Sequence, residues 1–350
     1  MLSPSTLAAV ATVRLLQRSA LILIVVATMS ASLLTTGTGA RAHGAYDPAG
    51  FDFYVDSSMG PIKSRVFRAA DGNTDRIVYA LDGMRAREDL SGWEIETDAA
   101  RKLTEHNINV VMPTGGQSSF YADWERPSTF YGTAIDAYAD SAGLGELPAF
   151  SNGPGKSYTY AWETFLTRDL RNALRDRLGF SPVRNGIFGL SMGGSAAITL
   201  AAYHPDQFSF TASMSGYLTP SSPGMRSAIS TAMVDAGGYN LACMIASPLS
   251  RKWQRMDPFV FAPRLIANNT RVWVSAATGV VTDEQFSKDT VAGSALEILA
   301  WASTRTFQIR MTTLGAKNVA YDFPTTGLHN WRLWQDEITR MLPDLSANIG

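Results

Sequence analysis

A single α/β domain, its mostly parallel sheet covered by helices on both faces, is the fold that this 350-residue chain predicts. Three observations carry that reading. Short apolar runs rich in Val, Ile, Phe and Tyr alternate with helical patterns, and no obvious linker interrupts them. Strand–helix alternation at this spacing joins parallel strands through crossover helices. The third observation is the pentapeptide Gly189-Leu190-Ser191-Met192-Gly193, set between an apolar run ending at Phe188 and an Ala-rich helical stretch reaching Tyr203.

Taken in order, the chain opens on a targeting segment. Arg14 and Arg18 precede an apolar stretch from Ala20 to Val26 that continues through small residues to Leu34, and Ala40-Arg41-Ala42 supplies the small residues of a cleavage site. Residues 1–42 therefore read as a secretory signal cut before His43, and 43–350 as one exported domain. The Ser, Thr and Gly between Thr28 and Gly39 dilute the run below what a membrane span needs. Phe51–Phe67 reads as an antiparallel hairpin. Strands are expected at Arg76–Leu81, Asn107–Met112, Val183–Phe188, Phe210–Ser215, Arg271–Ser275 and Asn318–Phe323. Helices are expected within Ala86–Asn107 and over Trp162–Leu178, Gly193–His204, Ser294–Thr306 and Asn330–Met341. Pro127–Ser157, rich in Gly, Ser, Ala, Tyr and Pro, reads as a surface excursion. Tyr217–Leu265 reads as a helical insertion over the edge where a site would lie.

Composition narrows the function classes. The net charge is −1 for the whole chain. It moves to about −4 once Arg14, Arg18 and Arg41 leave with the signal, and no basic patch stands out, so no nucleic-acid partner is expected. Cys243 is the only cysteine, which excludes an internal disulfide and any cysteine-based metal site.

A G-x-S-x-G between strand and helix is the nucleophile elbow: a turn too tight for side chains at its flanks, which lifts the serine clear of the sheet edge. That makes Ser191 a nucleophile in an α/β-hydrolase fold, whose partners follow in the order serine, acid, histidine. Of the four histidines, His43 and His106 precede Ser191. His204 lies three turns along the elbow helix, roughly 18 Å away along its axis. His329, in the loop after the last strand, remains as the base. For the acid, spacing divides evenly between Asp283, after the strand ending at Ser275, and Glu297 on the following helix. The oxyanion hole needs two backbone N–H groups. Met192, after the nucleophile, supplies one, and Met84 in the strand exit Leu81-Asp82-Gly83-Met84-Arg85 is the natural second.

Longer motifs extend this pattern: Leu81-Asp82-Gly83-Met84-Arg85-Ala86, Ser91-Gly92-Trp93, Met112-Pro113 with Gly115-Gly116-Gln117-Ser118-Ser119-Phe120-Tyr121, Trp162-Glu163-Thr164-Phe165-Leu166, Tyr203-His204-Pro205, Asp235-Ala236-Gly237-Gly238-Tyr239, and Leu265 through Val274. On these residues the chain resembles the antigen 85 mycolyltransferases of mycolic-acid bacteria, and in particular their corynebacterial relatives, from about Phe53 to Leu345. The resemblance implies Ser191 as nucleophile, Glu297 as acid, His329 as base, and Met84 and Met192 as the oxyanion hole. It further implies that Asp82 and Arg85 bind trehalose hydroxyls and that Trp331 lines the same sugar pocket. The implied activity is transfer of a mycolyl group from trehalose monomycolate to a second trehalose monomycolate or to cell-wall arabinogalactan, in the outer envelope, with no metal or organic cofactor. The chain departs from mycobacterial members in lacking the disulfide after the equivalent of Trp124, in its longer Pro127–Ser157 excursion, in Gly193-Gly194 and Asn330, and in Ser275 where they carry a cysteine.

Overall fold

The hairpin expected over 51–67 forms strands β1 (Gly50–Ser57) and β2 (Gly60–Phe67), turned at Gly60, whose φ of +92° is one that L side chains rarely adopt. In the computed structural model, which describes residues 46–133, 137, 140, 141, 150, 152–247, 250–281 and 287–350, six further strands complete one sheet. They are β3 (Ile77–Leu81), β4 (Asn109–Pro113), β5 (Asn185–Leu190), β6 (Phe208–Met214), β7 (Arg271–Ser275) and β8 (Val319–Asp322). Their order is β1-β2-β4-β3-β5-β6-β7-β8, antiparallel through β1, β2 and β4 and parallel from β4 to β8. Every expected strand is present, with ends moved by no more than two residues. The signal segment 1–42 lies outside the described residues, as does Asp283.

Alternation along the central strands splits the core between two faces. Ile77, Tyr79 and Leu81 of β3 pack into one cluster with Ile187, while Val78 and Ala80 join Phe188 and Leu190 in another. Both faces of β3 and β5 are buried, which is why β3 reads as an unbroken apolar run and β5 carries only glycine and apolar residues after Asn185. One face is covered by α4 (Met192–Tyr203), a helix apolar on nearly every side and buried accordingly. The other is covered by α1 (Gly92–Ile95), α2 (Ala99–Glu105) and α10 (Trp331–Asn348).

The expected helix at 162–178 is one rod with a flaw in it. A short α segment, Trp162–Thr164, leads into a π turn, Phe165–Asp169, and then α3 (Leu170–Leu178). Phe165, Leu166, Leu170 and Leu174 enter the core. Glu163, on the segment before the π turn, accepts from both terminal nitrogens of Arg255 and meets His204 Nε2 at 2.7 Å. This places His204 in a structural cluster at the far end of α4.

The insertion after β6 is helical, as its sequence suggests: α5 (Met225–Asp235), α6 (Leu241–Ile245), α7 (Arg251–Arg255) and α8 (Pro258–Ala267). Helix α9 (Lys288–Thr313) runs well beyond the 294–306 expected. It starts early because the Ser287 side chain caps it, accepting from Thr290 N–H. Among the described residues, no helix is long and apolar enough to cross a membrane.

Burial by itself would raise the Glu163 carboxyl, but hydrogen bonds and charge from His204 and Arg255 prevail and hold it at about 2. A carboxylate depressed in the folded state stabilises above its unfolded value of about 4.5 and loses that contribution as pH falls toward 2. Arg255→Met is expected to cost roughly 1–3 kcal/mol at pH 7, because it removes two charged donors from a half-buried carboxylate and leaves it His204. In urea melts that cost should shrink progressively below pH 4.5.

Candidate active site

Strand β5 delivers the chain into a turn that only this sequence tolerates. Ser191 sits at φ +52°, ψ −120°, outside the regions open to an ordinary L residue. A Cβ on Gly189 would lie 2.4 Å from the carbonyl carbon of Gly193, and one on Gly193 would lie 2.4 Å from Asp82 O. Both flanks of the serine must therefore be glycine. The turn is held by Ser191 N–H donating to Met214 O at 2.8 Å, which hooks it onto the end of β6. Met192 begins α4, so its N–H has no partner inside the helix and lies at the positive end of the helix dipole.

His329 precedes α10, whose cap Asn330 accepts from Leu333 N–H. Its Nδ1 lies 2.9 Å from Glu297 Oε2, so this carboxylate accepts from the ring and the other ring nitrogen is left for chemistry. Glu297 is fully buried, and its second oxygen accepts from Ser215 Oγ and from Ala277 N–H, each at 2.8 Å. Ser215 Oγ itself accepts from Trp334 Nε1 at 3.0 Å. The Trp334 ring also meets the His329 ring edge-on, 5.0 Å between centres, while Tyr217 lies 6.3 Å from His329. The imidazole is thus fixed by one hydrogen bond and packed between two aromatic rings.

Ser191 and His329 border one cavity of about 400 Å³. Its wall includes Asp82, Gly83, Met84 and Arg85 from the loop after β3, Trp331 and Trp334 from α10, Leu296 from α9, and Tyr217, Ala232 and Asp235 from the insertion. Six of the eight site residues named from sequence border this cavity; Glu297 lies behind His329, and Met192 is next in the chain to Ser191. Of the two acid candidates, Glu297 is the carboxylate bonded to His329.

The chain is similar to known proteins over most of its length. The family model described as putative esterase matches residues 61–345. The chain is 36% identical over 327 residues to the diacylglycerol acyltransferase/mycolyltransferase Ag85C of Mycobacterium avium, across 92% of this chain and 86% of that protein. With Ag85C of Mycobacterium leprae it shares 38% identity over 279 residues, 80% of this chain and 76% of that one. The chain belongs to the antigen 85 mycolyltransferase family. The crystal structure of Mycobacterium tuberculosis MPT51 (FbpC1) matches the fold with a TM-score of 0.70 at 30% identity, covering 87% of this chain and all of that one.

Within this member of the antigen 85 family, the three side chains expected to meet sugar differ in how they are held. Asp82 is buried; its Oδ2 accepts from Gly92 N–H at 3.0 Å, while Oδ1 has no hydrogen-bond partner among the described residues. Burial pushes its carboxyl up to about 7, against the opposing pull of the Gly92 and Trp93 N–H groups. Trp331 stands edge-on to both Trp93 and Trp334, and its ring lies so close to Gly92 that a Cβ there would come within 2.2 Å. Arg85 is exposed and paired with Asp235.

Sequence reading passed over Ser215, Trp334 and Tyr217. Ser215 reads as the last residue of an apolar strand, but it takes φ +53° just past β6, and only that reversal turns its hydroxyl toward Glu297. The one available signal was the Trp331–Trp334 pair, spaced to share a helix face.

Two outcomes follow from this geometry. Ser215→Ala removes one donor to Glu297 and the acceptor that Trp334 Nε1 has among the described residues, so turnover is expected to fall roughly 10- to 100-fold through loss of His329 alignment. The rate at which a fluorophosphonate labels Ser191 would measure it. A folded carboxyl raised to about 7 takes up protons that the unfolded chain does not hold between about pH 4 and 7, so Asp82 destabilises the fold as pH rises through that window. Asp82→Asn should abolish that part of the slope, up to roughly 4 kcal/mol between pH 4 and 8 in chemical denaturation.

Proposed function

We propose that this protein is an exported serine acyltransferase that moves a mycolyl group from trehalose monomycolate, through an acyl-Ser191 intermediate, to a sugar hydroxyl. The observation that carries the reading is the Glu297–His329 hydrogen bond at a cavity that the strained Ser191 turn also borders. The family's named acyltransferases support it.

In this reading His329, its developing cation stabilised by Glu297, takes the Ser191 proton as the serine oxygen attacks the ester carbonyl. The oxyanion is met by the N–H groups of Met84 and Met192, the latter reinforced by the α4 dipole. Collapse of the tetrahedral species releases trehalose, which receives the proton from His329. A second hydroxyl, from another trehalose monomycolate or from arabinogalactan, then enters and gives its proton to His329 as it takes the acyl group, and His329 passes that proton to the departing Ser191 oxygen. Asp82, Arg85 and Trp331 hold the sugar: a carboxyl and a guanidinium bond hydroxyls while an aromatic face covers the ring. Acting in the mycolate envelope, the protein would leave the cell through the 1–42 signal, cut between Ala42 and His43.

Incubation with acyl trehalose is expected to yield free trehalose and diacyl trehalose by thin-layer chromatography. Intact mass should reveal an acyl adduct that Ser191→Ala lacks. Free fatty acid as the sole acyl product would sink the transferase reading in favour of hydrolysis.

A further inference from the structure

The position of Arg85 poses a question that the triad does not answer. Its guanidinium borders the cavity, its side chain is 64% exposed, and its partner among the described residues is Asp235. Asp235 is the last residue of α5, where the helix dipole disfavours a carboxylate. A residue that breaks its local rule without a local gain points to another task. An ion pair this exposed contributes little to stability.

The Asp235 side of the pair is built stiffly. After it the chain turns through Gly237 and Gly238, at φ +140° and +72°, and Gly238 and Tyr239 N–H groups bond back to Val234 and Met233 carbonyls. Gln117 donates to Ala236 O, and Lys156 Nζ reaches Gly237 O at 2.5 Å. Tyr239 is buried beneath, its hydroxyl donating to Pro154 O. Lys156 and Pro154 belong to the end of the 127–157 excursion. The excursion therefore braces the turn that carries Asp235.

We infer that Asp235 is a positioning residue for the sugar: by pairing with one nitrogen of Arg85, it aims the remaining guanidinium donors at hydroxyls in the cavity. A guanidinium has five N–H donors in a fixed fork, so one edge can be clamped while the other stays available. Without the clamp, a long exposed side chain samples many rotamers and must be ordered anew by each sugar that enters. The inference rests on the acyl-sugar reading above.

The test is steady-state kinetics with acyl trehalose on wild type, Asp235→Asn, Arg85→Ala and the double variant. Asp235→Asn keeps shape and loses charge. It is expected to raise KM roughly five- to tenfold while kcat changes less than about twofold, the scale of one charge-assisted contact weakened. In the Arg85→Ala background the same change should add nothing to KM. A purely structural role would lower Tm and act equally in both backgrounds. The inference falls if Asp235→Asn leaves KM unchanged, or raises it as much without Arg85 as with it. A wild-type protein that turns over no acyl trehalose removes the underlying reading and this inference together, whereas wild-type turnover with an indifferent Asp235→Asn removes the inference alone.

Discussion

The backbone at Ser191 is the constraint on which the site depends. Its φ of +52° with ψ of −120° costs free energy that nothing local returns, so the rest of the molecule must impose it. Three close approaches do so. Gly189 and Gly193 bring the strand end and helix start within contact distance of each other, and Gly193 rests on the carbonyls of Leu81 and Asp82. The hydrogen bond from Ser191 to Met214 fastens the turn to β6. Because Asp82 and Gly83 lie against the elbow, the loop carrying Met84 and Arg85 is placed by the same packing that strains the serine. Nucleophile, expected oxyanion donor and expected sugar ligand share one mechanical origin.

A second chain of dependence runs through the acid. Glu297 places a carboxyl at a fully buried site, which is tolerable only with its oxygens hydrogen-bonded. Four donors reach it directly or through Ser215: His329, Ala277, Ser215 and, behind Ser215, Trp334. Trp334 then touches both the His329 ring and Trp331. The wall expected to cover a sugar and the device that aligns the base are therefore one aromatic assembly on a single helix face. A ligand pressing on Trp331 presses on the residue that helps to hold Glu297.

What the sequence made legible divides along a physical line. Strands β3 and β4 announce themselves because both sheet faces are buried, so apolar residues run on without alternation. Ser191 and His329 were found because the elbow dictates glycines at fixed offsets and the fold dictates chain order. Glu297 was not separable from Asp283 by spacing, since both follow β7 in the chain and nothing local in the sequence marks Glu297 as the residue that meets His329. Family resemblance chose Glu297, and it is the one hydrogen-bonded to His329. Ser215 was hidden because its role depends on a single positive φ at a strand end, and such a reversal leaves no trace in a serine codable as strand or loop. Arg85 was named for its chemistry, but its pairing with Asp235 arises from a contact between residues 150 positions apart. The early start of α9 turns on Ser287, a capping serine ahead of the apolar stretch that suggested the helix.

The π turn at Phe165–Asp169 has a consequence for how tolerant this rod is of length changes. A π turn holds one residue more than the α-helical turn it replaces, and each residue advances an α-helix by about 100°. The rod beyond it is keyed to the core by Leu170 and Leu174, while Glu163 before it is keyed to His204 and Arg255. The extra residue is the phase adjustment that lets one rod satisfy both attachments. Deleting a single residue there would close the π turn into an α turn and keep Glu163 facing both partners, because the turn takes up one residue that a regular helix joining the two attachments does not need. The segment keeps the angle between its two attachments by accepting one irregular turn.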